Sequence, residues 1–345
     1  MERKGQQGFG LVELMIAITL GLLLSAAVIQ VFLASNSSSK LQESLAQVQE
    51  NARFAMRFLG EEVRMAGYMG CNSIGNIAAN VIAVPAATVD FGPATALVGE
   101  DNVVAGNALS AVVGSDVLHL KRASDDPIRL TGNLAPSNAN IQIEDNSLGF
   151  VQGDYVMVSD CLNADVFRIT NNPKTTGKGN TTLTHANGQT NSDNRLSKIY
   201  GPDAEVFGFQ NLDFFVRDTG RDTPAGNPIH GLYMQRLMQG SGGVTAAAIE
   251  LVEGVETMQI TYGVDNDGDR GVDQYQAAGA VADWSRVLSV RISLQMVGPE
   301  ENIVGKSGSA TAQEVRDANG NMVANNDGRL RQVFTNVFAI RNKLP

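Results

Sequence analysis

Three sets of residues in this sequence could do chemistry, and none of them is a conventional catalytic set. The first is Glu13, which opens an otherwise apolar run: the 21 residues from Leu14 to Ala34 carry no charge. A carboxylate in such surroundings is costly unless it is paired, which makes it a functional candidate by default. The second is the loop Asp265-Asn266-Asp267-Gly268-Asp269-Arg270-Gly271-Val272-Asp273. Alternate carboxylates at Asp265, Asp267, Asp269 and Asp273 offer the hard oxygen ligands that Ca²⁺ takes, and without a cation they repel one another. The competing reading is an Asx/Gly turn between two strands, which Asp-Gly chemistry favours on its own. The third set is Cys71 and Cys161, the two cysteines of the chain.

Catalytic motifs do not appear. There is no Walker A loop, no G-x-S-x-G, no H-E-x-x-H and no G-x-G-x-x-G after a strand. His119 sits in the apolar run Val117-Leu118-His119-Leu120 and reads as a sheet residue, while His185 and His230 read as loop residues. Nothing joins any of them to a nucleophile, so the chain is not expected to be an enzyme. Three His and two Cys leave little material for a His/Cys metal site. Lys and Arg number 26 against 36 Asp and Glu, for a formal net charge of −10. That balance argues against a nucleic-acid partner, which would require a basic face. With 345 residues, 43% hydrophobic and 18% charged, most of the chain should fold around a sizeable core.

The elements that would position these residues begin with a helix. Residues 1–8 are short and polar and include Arg3 and Lys4; the apolar run that follows spans roughly 30 Å as a helix, the thickness of a bilayer core. Basic residues ahead of it predict a cytoplasmic N-terminus and an exported remainder, periplasmic in a diderm bacterium. Three readings compete: a signal peptide cut near Ser25-Ala26-Ala27, a plain single-span anchor, and an assembly helix that gives Glu13 a purpose. The apolar run passes the small-residue site without a break, and Leu41, Leu45, Val48, Ala52, Ala55 and Leu59 continue it as one amphipathic face. Phe54 and Phe58 widen that face. The pattern fades after Val63–Ala66, with Gly67 and Gly70 as stops, giving a helix from Phe9 to Ala66 of roughly 85 Å.

The remainder reads as strands. Residues 287–296 alternate cleanly, 258–264 share one face, and further strands are expected at 116–121, 155–158, 166–170, 206–216 and 332–340. The polar stretches 171–195 and 298–329 are expected as exposed loops. The architecture is therefore α+β: a short polar segment at 1–8, a membrane-length helix at 9–34, its amphipathic continuation at 35–70, and a mainly antiparallel β-rich head at 71–345. Both cysteines fall in the exported part, where an even count favours a disulfide over buried thiols. Such a bridge would staple the helix end to the sheet.

Gly8-Phe9 followed by Gly10-Leu11-Val12-Glu13-Leu14 resembles the class III signal of type IV pilins and pseudopilins. That resemblance implies a pilin-like fold in which 1–8 is a leader peptide and 9–34 an assembly helix, cleavage by a prepilin peptidase between Gly8 and Phe9, and methylation of the new Phe9 amino group. It also implies that Glu13 pairs with the Phe9 ammonium of an adjacent subunit; two such groups buried together compensate one another. The run from Arg329 to Asn342, the stretch Ile260–Asp269 and the strand Val287–Leu294 are similar to PilW-type minor pilins. The implied role is a low-copy subunit of a tip or priming complex in the inner membrane and then the pilus, with other minor pilins, the major pilin and a tip adhesin as partners. Assembly, twitching motility and adhesion are the processes it would serve. A minor pseudopilin of a type II secretion system, a membrane-anchored periplasmic binding module and a calcium-dependent adhesin remain as alternatives. The acidic loop resembles an EF-hand loop at its first, third and fifth positions but places Arg270 at the turn glycine and Gln276 at the terminal Glu. No cofactor is required by this reading; Ca²⁺ is the one this loop could take.

Overall fold

The computed structural model describes residues 10–71, 73–75, 77–131, 138–173, 178–317 and 319–343. The sequence places no helix breaker in the long apolar and amphipathic segment, and the result is one continuous helix, Leu11–Met65. Every residue from Gly10 to Glu43 is exposed. Burial then begins at Ser44 and follows Val48, Ala52, Ala55, Met56, Leu59, Gly60 and Val63. The buried stripe starts later than the periodicity suggests: Leu41 remains 37% exposed, because the head begins one turn further on. Each fully buried Val or Leu on this face contributes about 1.5–3 kcal/mol. The helix ends where Gly67 takes a positive φ of 75°, a conformation open to glycine without penalty.

Two antiparallel sheets receive that stripe. The larger is organised around the strand Glu205–Asp222, which pairs with Val117–Ala123, Tyr155–Ser159 and Pro228–Leu237. The smaller runs in the order Gln274–Gln276, Val255–Val264, Val287–Val297, Arg331–Ala339, with every neighbour antiparallel. Leu118, Leu120, Leu212 and Phe214 from the first sheet meet Ile260, Tyr262, Ile292 and Leu294 from the second in one core with the helix. A second core gathers Ile128, Ile141, Ile143, Phe150, Phe167 and Leu183 at the far end of the long strand. The α+β, helix-on-sheet architecture stands, with one parallel exception where Asn80–Val81 pairs Asp165–Val166.

Two stretches differ from expectation. Within 171–195 the strand Lys178–Thr184 pairs with Asn140–Asp145; its apolar content is low, but Leu183 and Thr181 are buried. Within 298–329 a short hairpin joins Val315–Arg316 to Met322–Val323, and Asn325 and Arg329 are buried. His185 is likewise buried rather than in an exposed loop, and His230 lies in the strand Pro228–Leu237.

Candidate assembly segment and head-domain sites

Glu13 lies in the first turn of the helix, and the Gly10 N–H donates to its Oε2 at 3.0 Å. In the single chain the carboxylate thus satisfies one of the orphan donors at the helix start, where the macrodipole favours a negative group. Around it Leu11, Val12, Leu14 and Met15 are all more than half exposed. This half of the helix is long and apolar enough to cross a membrane and buries none of its apolar window within the chain. The chemistry available is therefore association in an apolar medium, with one carboxylate to be matched. The cleavage position Gly8 and the methylation position Phe9 lie outside the described residues.

Cys71 and Cys161 form a disulfide, with their Cα atoms 5.2 Å apart. Cys71 follows the end of the helix, and Cys161 sits in the turn after Tyr155–Ser159. That turn is fixed by Asp160, whose Oδ1 accepts from the N–H groups of Leu162 at 2.9 Å and Asn163 at 2.8 Å. Burial works against the charge on Asp160, but the Lys198 ammonium paired with it and those N–H donors hold its carboxyl below the usual range. The bridge ties the helix end to the larger sheet, as the compartment argument anticipates.

The acidic loop connects Val255–Val264 to Gln274–Gln276. Ligand oxygens of Asp265, Asp267 and Asp269 lie within 4.8 Å of one another. Asp273 does not join them: its Oδ2 accepts from the Asn266 N–H at 2.7 Å, so the four-carboxylate set reduces to three. Asp265 accepts from Gly268 N–H at 2.6 Å and Arg270 N–H at 2.9 Å, and Asp269 from Gly271 N–H at 2.6 Å. Arg270, at the position a turn glycine would occupy, has a positive φ of 70°, a conformation that is uncommon for a side-chain-bearing residue. Burial opposes ionisation of Asp265, yet those N–H donors and Arg286 keep its pKa below the ordinary carboxylate value. Asx turns account for the shape of the loop by themselves.

Two arrangements in the head are assembled from distant positions and carry no motif in the sequence. His119 reaches Asp213 across one strand pair, at 2.7 Å from Nδ1, and Glu100 across the other, at 3.4 Å from Nε2. Burial disfavours charge on this ring, but the two carboxylates outweigh it and raise the pKa. Arg331 grips Glu256 through Nε and Nη2, both at 2.8 Å, and Asp327 through Nη1 at 2.7 Å. Asp327 is held down at about 2: its burial is overcome by Arg331 and by the Arg329 N–H. The one sequence signal for this clasp is a charged residue at the mouth of an uncharged strand.

A long helix that is bare over its first half, carries a lone carboxylate in its first turn, and is built into a β-rich head over its second half defines a pilin-class subunit. Residues 213–342 match the family model described as type IV pilus-assembly protein W, PilW, and residues 3–29 match the prokaryotic N-terminal methylation motif. The PilW match spans 130 of the 345 residues, and with the N-terminal motif it supports a type IV pilus minor pilin of the PilW kind. No curated protein and no solved structure matches the chain. The two family matches support a membrane-anchored pilin assembled into the pilus, and they imply processing by a prepilin peptidase and contact with other pilins. The family is one of pilus structural components and not a known family of enzymes. The PilW match covers most of the strands that hold the helix, whereas the second core, built from residues between 82 and 206, lies entirely before it.

Proposed function

We propose that the chain acts in a tip or priming complex with other minor pilins, initiating pilus assembly and so supporting twitching motility and adhesion, with the large head helping to present a tip adhesin. The observation that carries this reading is the division of the helix at Ser44: Gly10–Glu43 buries nothing within the chain, and the remainder is fixed in the head. A surface of that size in an apolar medium calls for other helices, and Glu13 calls for a cation among them. The Phe9 ammonium of an adjacent subunit, freed by cleavage after Gly8 and then methylated, is the group proposed to meet it. A fragment beginning at methylated Phe9 is expected from the native host only when the prepilin peptidase is present. Glu13→Ala should abolish recovery of the subunit in sheared pili at equal protein levels; wild-type piliation would sink the assembly role. Loss of surface pili on deletion supports the pilus, whereas loss of exoprotein secretion with pili intact would place the chain in a type II secretion system. An uncleaved N-terminus with a tolerant Glu13 would leave an anchored binding module.

Calcium-dependent adhesion is a second, separable proposal, favoured by the convergence of Asp265, Asp267 and Asp269. Chelation should weaken attachment before it alters pilus number, and Asp267→Asn should reproduce the effect; attachment insensitive to both removes calcium from the account.

A further inference from the structure

Every open sheet has terminal strands whose outward N–H and C=O groups are unpaired, and folded proteins usually blunt such edges with charge, irregularity or brevity. Among the described residues this chain does so repeatedly. Ile249–Glu253 carries Glu250 and Glu253, both ion-paired to Arg221, and meets its neighbour through an irregular register. The open side of Lys178–Thr184 is taken by Asn171, whose side chain bonds Thr182 O and Thr184 N–H at 2.9 Å each. Asn80–Val81, Leu97–Glu100 and Gln274–Gln276 are short.

Beyond its first residue, Arg331, which Gln313 covers, the strand Arg331–Ala339 has none of these devices. It is the last strand of the smaller sheet and pairs Val287–Val297 in unbroken register over nine residues. From Gln332 to Ile340 there is no charge, proline or glycine. The direction of its amides follows from three contacts. Ile340 N–H donates to Leu288 O at 2.9 Å and Gly298 N–H to Leu330 O at 2.8 Å, so the even-numbered residues bond into the sheet. From the outside, the Gln313 side chain bonds both the N–H of Arg331, at 3.2 Å, and its C=O, at 2.9 Å. Amide directions alternate along a strand, so Val333, Thr335 and Val337 aim N–H and C=O away from the sheet. All three are exposed. Beside this edge, on the helix side, a groove of about 280 Å³ is lined by Ala52, Arg53 and Met56 of the helix and by Phe334, Thr335 and Asn336 of the strand.

The geometry points to strand addition: an extended, uncharged segment from the head of a neighbouring pilin subunit pairs with the edge at Val333–Val337. Main-chain bonds would supply the affinity, and alternate side chains would enter the groove at Met56 or cover Val333 and Val337 on the outer face. The partner follows from continuity with the assembly surface, and to that extent the inference rests on the pilin reading. Phe334 lies beside Ala52 and Met56, and Phe338 sits over Gly60, so the strand advances in the same direction as the helix. The start of its free edge, at Val333, is therefore the end nearer the bare half of that helix, the surface on which other subunits are proposed to pack.

The test is photocrosslinking in the native host with the full chain, placing benzoylphenylalanine at position 337 and, as a control, at exposed Val244. An adduct at 337 and not at 244 is expected, with a partner whose sequenced peptides come from a chain bearing its own N-terminal methylation motif. Thr335→Pro deletes an outward N–H that bonds nothing inside the head, so the fold should survive while the adduct is lost. Val337→Lys, with the photoprobe moved to position 333, should have the same effect by placing a charge on the edge; resistance to protease checks that each variant is folded. Adducts at wild-type yield in both folded variants overturn the inference, as does no adduct from a chain that is processed and recovered in pili. An adduct of twice the chain's own mass, or one to a protein without the motif, overturns the choice of partner. A chain neither processed nor found in pili would fail the pilin reading first, and the inference would fall with it.

Discussion

His185 lies with its ring 4.7 Å from that of Phe167 and has no solvent exposure. Neither ring nitrogen has a hydrogen bond of normal geometry. Burial lowers its pKa to about 4, against Asp165 and the Asn194 backbone, which favour the cation. The unfolded value is near 6.5, so between the two the unfolded chain binds a proton that the folded chain refuses. Stability is therefore full above pH ~6.5 and falls as the pH drops toward 4, by up to about 3 kcal/mol. Asp116 works in the opposite sense: burial raises its pKa to about 6 despite N–H donors from Asn102 and Ile260, so its own contribution improves on acidification. The useful quantity is the difference between variants. His185→Phe should keep the contact with Phe167 and flatten the acid limb, read by denaturation of the full chain in detergent at pH 7 and pH 4.5. An equally steep loss in the variant would assign the limb to other groups.

At the scale of elements, the contact between the helix and the last strand turns on Gly60. A glycine inside a helix is about 1 kcal/mol less favourable than alanine, and here the reason for it is direct: a Cβ at this position would overlap the Phe338 ring. Arg64 lies over the same ring, 5.4 Å from its centroid. Gly60→Leu should push the strand away and destabilise the head by about 1–3 kcal/mol, measured as a lowered Tm of the full chain; an unchanged Tm would mean that the strand is not held there. The helix and the strands at 117–123, 255–264, 287–297 and 331–339 were legible because each shows one dominant period, and 155–159, buried on both faces, was legible as a short continuous apolar run. Pro228–Leu237 was not, since Leu232 and Met234 face the helix core while Tyr233 packs with Phe215 on the other face, and burial on both faces erases the alternation. Asn140–Asp145 and Lys178–Thr184 were hidden by polar composition. Of the candidate sites, Glu13 and the cysteines could be read from neighbours and compartment. The clasp at Arg331 and the cluster at His119 join residues far apart in sequence, which no local pattern reports, and only the folded loop reveals that Asp273 is held by the Asn266 N–H apart from the other three carboxylates.

For the whole molecule, the long strand Glu205–Asp222 joins three large cores: Val206 lies in one, Phe207 and Phe209 in another, and Leu212, Phe214 and Val216 in the core that holds the helix. The disulfide closes a loop of 90 residues across this arrangement and contributes roughly 4–5 kcal/mol in the chain-entropy model. Cys161→Ser should therefore lower the Tm and speed hydrogen exchange first in 155–169, while the sheet formed by 255–264, 287–297 and 331–339 keeps its protection. Uniform acceleration through both regions would instead show that they open as one unit. The other tie at the helix end is made by Asn342, whose side-chain amide donates to Ala66 O at 3.1 Å and Arg64 O at 3.4 Å, while its own carbonyl accepts from the Ser73 hydroxyl. Carbonyls released at the end of a helix otherwise need another donor. Synthesis delivers residue 66 long before residue 342, so the helix end stays uncapped until nearly the whole chain exists. A chain cut short before its last strand would carry an open helix end and lack the ring that covers Gly60. Completion of the chain is in this way written into the tertiary structure.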